Sequence, residues 1–166
     1  EDRAKGRGRA AGIKAARDAF YKGPVAERIA EFIAANPIED ASGSAHTGLL
    51  SYEDMAEWRA TVEEPVSYDY KGLDVHKCPS WTQGPVFLQQ LAILDGFDLK
   101  SMGHNSAKYL HTYVEAAKLA FADREAYYGD PAFDDVPFDV LLSEAYNGGR
   151  RGLIGDEASI DMRAGD

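Results

Sequence analysis

His76 and Cys78 stand two residues apart, the spacing that turns alternate side chains of a strand to one face, and a thiol beside an imidazole is the smallest pair able to do nucleophilic chemistry. Such a pair needs a third group to orient the ring, and nothing nearby supplies one; we read Cys78 as a buried or half-buried strand thiol. His111 and Glu115 share a helix face at i and i+4 and offer two metal ligands. Zinc takes three or four, and the second histidine of an HExxH pattern is missing, so metal binding is set aside. The acid-rich stretch Asp130, Asp134, Asp135 and Asp139 lacks the alternating oxygen ligands, central glycine and terminal glutamate of a calcium loop. These carboxylates read as solvated turn and cap groups. Asp123 and Arg124 read as structural ion-pair or capping residues. Gly6-Arg7-Gly8 and Gly148-Gly149 lack the preceding strand and the Lys-Ser/Thr of a phosphate-cradling loop.

The elements that would position these groups are mostly helical. Ala107, Leu110, Val114, Ala117 and Phe121 recur at steps of three and four, predicting one buried face of a long helix capped by Asn105 or Ser106 and stopped at Gly129-Asp130-Pro131. A helix over Ala15–Tyr21 breaks at Gly23-Pro24, and a second over Pro24–Asn36 places Val25, Ile29, Phe32 and Ile33 on one side. Residues 38–48 read as a surface loop, and Ser51 with Asp54 resembles a capping box opening a helix to about Thr61. Val66–Tyr70 and Leu73–Cys78 alternate as a strand pair turning at Lys71-Gly72. Pro85–Asp95 is apolar nearly all round, ends at Gly96, and must be covered on most sides. A last helix over Phe138–Tyr146 runs into Gly148-Gly149 and a polar, partly disordered tail. With no repeat and no linker, residues 1–166 read as a single region of a larger fold.

Composition narrows the function classes. A hydrophobic fraction of 45% suffices for a core, and no apolar run approaches the roughly 20 residues of a membrane span. The net charge is −10, yet residues 1–35 hold 8 Lys+Arg against 5 Asp+Glu, so the rest is strongly acidic. Such a body disfavours nucleic acid and anionic membranes. The basic run Arg3, Lys5, Arg7, Arg9, Lys14 and Arg17 reads as a flexible surface lead-in, because glycines interrupt it and aromatics are absent. With Cys78 the single cysteine, an intrachain disulfide is excluded and the redox compartment stays open.

Wording along the chain is more specific than periodicity. SAKYLH, EAAKLAFADREAYYGDP and DVP between Ser106 and Pro137, with RDAFYKGPVAERIAEFI (Arg17–Ile33), LLSYEDMAEWRA (Leu49–Ala60), YKGLDV (Tyr70–Val75) and LQQLAILDGFDL (Leu88–Leu99), resemble the large subunit of γ-glutamyltranspeptidases. These are self-processing N-terminal nucleophile hydrolases, and the resemblance runs from about Arg17 to Arg163. It implies an αββα sandwich, an α+β fold completed by a second chain, to which this one gives mainly helices. It also implies a companion small subunit whose new N-terminal threonine is the nucleophile, a γ-glutamyl small-molecule substrate, and no metal or organic cofactor. The tail ASIDMRAGD resembles the segment shortly before the self-cleavage point.

By that resemblance this chain is scaffold and interface, and no catalytic, cofactor-binding or metal residue is assigned to it. Its four threonines, Thr47, Thr61, Thr82 and Thr112, are internal and lack the free α-amine that activates an N-terminal hydroxyl. The resemblance suggests a periplasmic or secreted enzyme, with the cytoplasm left open. One departure from the family wording is Pro79–Pro85: where a Pro/Ser-rich turn usually leads to two glycines, Trp81 and Gln83 bring a large aromatic and an amide, and Pro85 replaces a glycine. Trp81 either favours a bulkier acyl group or merely packs, and packing is the reading preferred. The rivals are an acylase cutting glutaryl or cephalosporin-type amides and a non-processing homologue that only binds.

Overall fold

Helix begins earlier than the pattern predicts. The computed structural model describes residues 5–166, and α1 spans Arg9–Tyr21, so Arg9, Lys14 and Arg17 lie on an exposed helix face and not in a lead-in; Arg3 lies outside the described residues. The alanines at 10, 11, 15 and 16 favour helix enough to carry it back to the glycines, and Lys14 pairs with Asp18 one turn on. α2 (Pro24–Ala35) starts on proline as expected, packs on α1, and buries only Ala26; Val25 and Phe32 are exposed. Asn36 stops it by donating its side-chain amide to the Phe32 carbonyl at 2.7 Å. The predicted loop contains a minimal antiparallel ladder, β1 (Ile38–Glu39) with β2 (Ala45–His46). In α3 (Tyr52–Glu57) both halves of the Ser51–Asp54 capping box form. That helix ends at Trp58, short of Thr61, because the Trp58 backbone turns extended and its ring stacks on Tyr21 at 5.2 Å. Residues to Thr61 make one compact unit, and Val62–Asp166 a second.

In the second unit β3 (Val66–Tyr70) and β4 (Leu73–Lys77) pair antiparallel, Tyr68 facing Val75. Lys71 and Gly72 both have positive φ, 54° and 82°, so Lys-Gly makes a turn whose twist matches the strands. α4 (Gly84–Leu94) is the central element, packing against β3, β4, α5 (Ala107–Tyr127) and a later helix. Its Val86, Ile93 and Leu94 form the core with Ala116, Leu119 and Ala120 of α5. Gly96 follows α4 without a positive φ; its value is space, since a Cβ there would run into the Arg151 side chain.

Ser106 caps α5 by accepting from the Tyr109 N–H at 3.1 Å. The buried face of α5 is not the predicted one. Ala107, Leu110 and Val114 are exposed and Ala117 and Phe121 half-buried, while Thr112, Glu115, Ala116, Leu119, Ala120, Ala122 and Asp123 are buried. The small residues let α4 approach closely, whereas Leu110 and Val114 lie a rotation away, uncovered, and only Phe121 of the stripe reaches the core. Beyond the helix, Asp130 accepts from the Ala132 and Asp134 backbones, turn bonds as expected.

The predicted last helix is two. α6 (Phe138–Leu141) stops and α7 (Glu144–Arg151) restarts on Ser143, whose hydroxyl accepts from the Tyr146 N–H at 3.2 Å. Asn147 donates to the Leu141 and Ser143 carbonyls at 2.9 and 2.8 Å, satisfying acceptors the break releases. Gly148 and Gly149 lie inside α7 and do not end it. Among the described residues no helix is long and apolar enough to cross a membrane.

Candidate functional site

Two carboxylates lie on the buried face of α5, and burying charge is unfavourable unless each is paired and hydrogen-bonded. The Asp123 side chain is 0% exposed and meets the Arg150 guanidinium of α7 at 3.0 Å. It also accepts from Gln89 Nε2 of α4 at 2.5 Å and from the Gly165 backbone N–H at 2.8 Å. Arg150 donates in turn to the Leu119 carbonyl at 3.3 Å and to the Arg163 carbonyl. Gly165 is held at both of its backbone polar groups, its carbonyl accepting from the Tyr127 hydroxyl at 2.5 Å. A Cβ at Gly165 would collide with the Tyr146 hydroxyl and ring, so the seat admits only glycine without rearrangement. Burial and the nearby Asp123 charge push the Tyr146 hydroxyl up to about 12, so it stays protonated.

Glu115, two turns earlier, holds the middle of the same tail. It pairs with Lys118 and with Arg163 at 3.2 Å. Lys118 also donates to the Ser159 carbonyl at 2.6 Å, and Arg163 to the Leu153 carbonyl at 2.9 Å. Burial alone would raise the Glu115 carboxyl; the Lys118 hydrogen bond and charge, the Ser159 backbone and His111 outweigh it and hold it below its ordinary value. His111 and Glu115 are not joint ligands, since the ring bonds the Gly155 carbonyl at 2.7 Å. Residues 153–165, expected to be partly disordered, are thus tied to α5 and α7. The arrangement can hold a chain segment in one register.

Elsewhere in this unit, His76 and Cys78 line an open, mainly apolar groove of about 660 Å³ with Pro65, Thr82, Gly84 and Phe87. Cys78 lies just past β4 and is exposed, which corrects the buried strand thiol: the outer residues of β4 have no layer over them. Among the described residues no hydrogen bond orients the His76 ring. Trp81 does not pack either; it is 60% exposed and donates its indole N–H to Glu63 at 2.6 Å. Thr82 is engaged in the turn, donating toward the Pro79 carbonyl at 3.0 Å and accepting from the Gly84 N–H at 3.0 Å. Arg124 pairs with its neighbour Glu125 on the surface.

Sequence reasoning passed over Arg150, Arg163 and Gly165. Glu115, Ala116, Leu119, Ala120 and Asp123 share a face at steps of three and four, and two acids among small residues were the available signal. In the first unit, His46 bonds Asp40 at 2.8 Å, another unforeseen pair. Asp40 also accepts from the Ser42 N–H at 2.8 Å, and Ser42 with His46 lowers its carboxyl, so the pair staples an exposed loop.

Residues 11–164 match the family model for gamma-glutamyltranspeptidase. The chain belongs to that family. Over 130 residues it is 39% identical to a glutathione hydrolase proenzyme of Escherichia coli, covering 78% of this chain and 21% of the relative. Over 149 residues it is 35% identical to an acylase ACY 1 proenzyme of Pseudomonas sp., covering 89% of this chain and 25% of that one. The chain therefore spans about a quarter of the length of these curated relatives. Helicobacter pylori gamma-glutamyltranspeptidase superposes with a TM-score of 0.76 at 27% identity, over 92% of this chain and 41% of that one. The α+β N-terminal nucleophile hydrolase class expected from the sequence holds, with helix predominating and two small antiparallel strand pairs among the described residues. The family is one of enzymes.

Proposed function

We propose that this chain belongs to the large-subunit part of a self-processed enzyme that transfers or hydrolyses γ-glutamyl groups, with the nucleophile on a companion small subunit. The observation that carries this is the match over residues 11–164 to a family whose curated relatives are proenzymes. The N-terminal threonine oxygen of the companion bonds to the γ-carbonyl carbon. Its proton passes by way of the α-amine to the leaving amine as the C–N bond breaks, while backbone N–H groups hold the oxyanion. Water or an acceptor amine then takes the acyl group and restores the hydroxyl. Nothing in that sequence requires a metal or an organic cofactor. Residues 1–166 supply scaffold and interface and no catalytic side chain. Supporting this, Thr82 is engaged in its turn and Thr112 is buried in α5.

The test is turnover of γ-glutamyl-p-nitroanilide by the processed protein, beside intact-mass analysis for a second polypeptide beginning with threonine. An uncut chain that turns over nothing would overturn the reading. The acylase relative, 35% identical over 149 residues, supports one alternative, hydrolysis of glutaryl or cephalosporin-type amides. Turnover of glutaryl amides without cleavage of the γ-glutamyl anilide would select it.

A further inference from the structure

The two buried carboxylates of α5 hold the tail more firmly than its composition requires. Residues 152–166 have no helix or strand, yet Gly155, Ser159, Arg163 and Gly165 each have a backbone carbonyl bonded by a side chain of α5 or α7. The strongest fixation is at Gly165, whose N–H and carbonyl are both occupied, by Asp123 and Tyr127, and whose Cα lies against Tyr146. With the N–H of Gly165 and its carbonyl both bonded, the two peptide planes that meet at its Cα are each fixed, so the chain leaves this seat along one line.

We propose that Asp123, acting through Arg150 and the Gly165 N–H, is a positioning residue for self-cleavage: the clamp fixes where the tail leaves the helices and so where the downstream scissile bond is presented. The inference rests on the reading of the chain as part of a self-processing precursor. In the cleavage, the peptide bond before the nucleophilic threonine is hydrolysed; the hydroxyl of water stays on the upstream carbonyl and its hydrogen goes to the threonine amine. Asp123 touches none of these atoms. It acts on the chain upstream, and the chemistry is sensitive to such placement because a misplacement of about 1 Å can lower a rate on the order of 100-fold.

The experiment follows self-cleavage of the full precursor by intact mass for four proteins: wild type, Asp123→Asn, Gly165→Ala and Leu94→Ala. Leu94 lies in the apolar core of α4 and makes none of the hydrogen bonds that hold the tail's backbone, so it serves as a control for lost core stability. Thermal unfolding is recorded for each. The expected result is cleavage slowed at least about tenfold in Asp123→Asn and Gly165→Ala, but within about twofold of wild type in Leu94→Ala at comparable loss of Tm. Because Gly165 is on the tail and outside every helix, its variant keeps the test open if Asp123→Asn does not fold. Cleavage near the wild-type rate in the tail variants, or slowing no greater than in Leu94→Ala, overturns the clamp. Failure of wild type to cleave overturns instead the self-processing reading beneath it.

Discussion

Asp123 and Arg150 meet at 3.0 Å with side chains 0% and 5% exposed, each supplied by a different helix. A pair this buried is weak evidence of net stabilisation, because desolvating both ions offsets much of their attraction. Breaking it is another matter, because one charge is left buried without its partner. Asp123→Leu is expected to cost about 3–5 kcal/mol, and the double variant with Arg150→Met to recover part of that loss. Urea unfolding of the assembled protein measures both. Strict additivity of the two single changes would contradict the pairing.

Glu115 ties the tail's hold to pH. Its carboxyl lies below the ordinary 4.5 in the folded chain, held there by Lys118, the Ser159 backbone and His111 against the opposing effect of burial. A group whose folded value is depressed contributes stability that is complete above its unfolded value and disappears as pH falls through the folded one. Amides of residues 159–165 are therefore expected to exchange more slowly in wild type than in Glu115→Gln at about pH 6.5, with the difference smaller at about pH 3. An equal difference at both values would rule out the carboxylate as its source.

Two glycines of this unit should respond to alanine with opposite signs. At Gly165 the added methyl meets the Tyr146 ring and hydroxyl, and overpacking of that kind costs roughly 1–3 kcal/mol. Gly149 lies within α7 with no atom within 4 Å of its would-be Cβ. There alanine lowers the entropy of the unfolded chain and is expected to stabilise by about 0.5–1 kcal/mol. Thermal unfolding gives both signs.

In the first unit, Ser51 and Asp54 close a reciprocal cap, each side chain accepting from the other's backbone N–H, at 3.1 and 2.8 Å. The Ser51 hydrogen bonds hold the Asp54 carboxyl below its ordinary value. Ser51→Ala should destabilise by about 1 kcal/mol in chemical denaturation, and Ser51→Thr, which keeps the capping hydroxyl, by much less.

What the sequence made legible was local. The Ser51–Asp54 box, the Ser106 cap and the Lys71-Gly72 turn each follow from residues within four positions of one another, and each formed. The face of α5 did not follow, because hydrophobicity alone selected Leu110 and Val114 while the chain buries alanines with two acids. Amphipathic patterning identifies what must be covered, without saying by which neighbour, and charge burial depends on partners up to 48 residues away, as between Glu115 and Arg163. Likewise the split between α6 and α7 turns on Ser143 and Asn147 capping a break that periodicity runs through.

The stripe that misled the sequence reading makes the last prediction. Leu110, Tyr113 and Val114 are 48%, 43% and 49% exposed on α5, and they add nothing to the core this chain builds for itself. An aspartate at Leu110 or a lysine at Val114 should therefore leave the second unit's fold and its Asp123–Arg150 pair intact. If the companion subunit covers this face, each change forfeits on the order of 1.5–3 kcal/mol of apolar burial and sets a charge in the interface. Processed protein carrying either variant should then separate into its two polypeptides at lower urea than wild type, read by size exclusion. Separation at an unchanged urea concentration would mean that this face stays open to solvent and that the companion binds elsewhere.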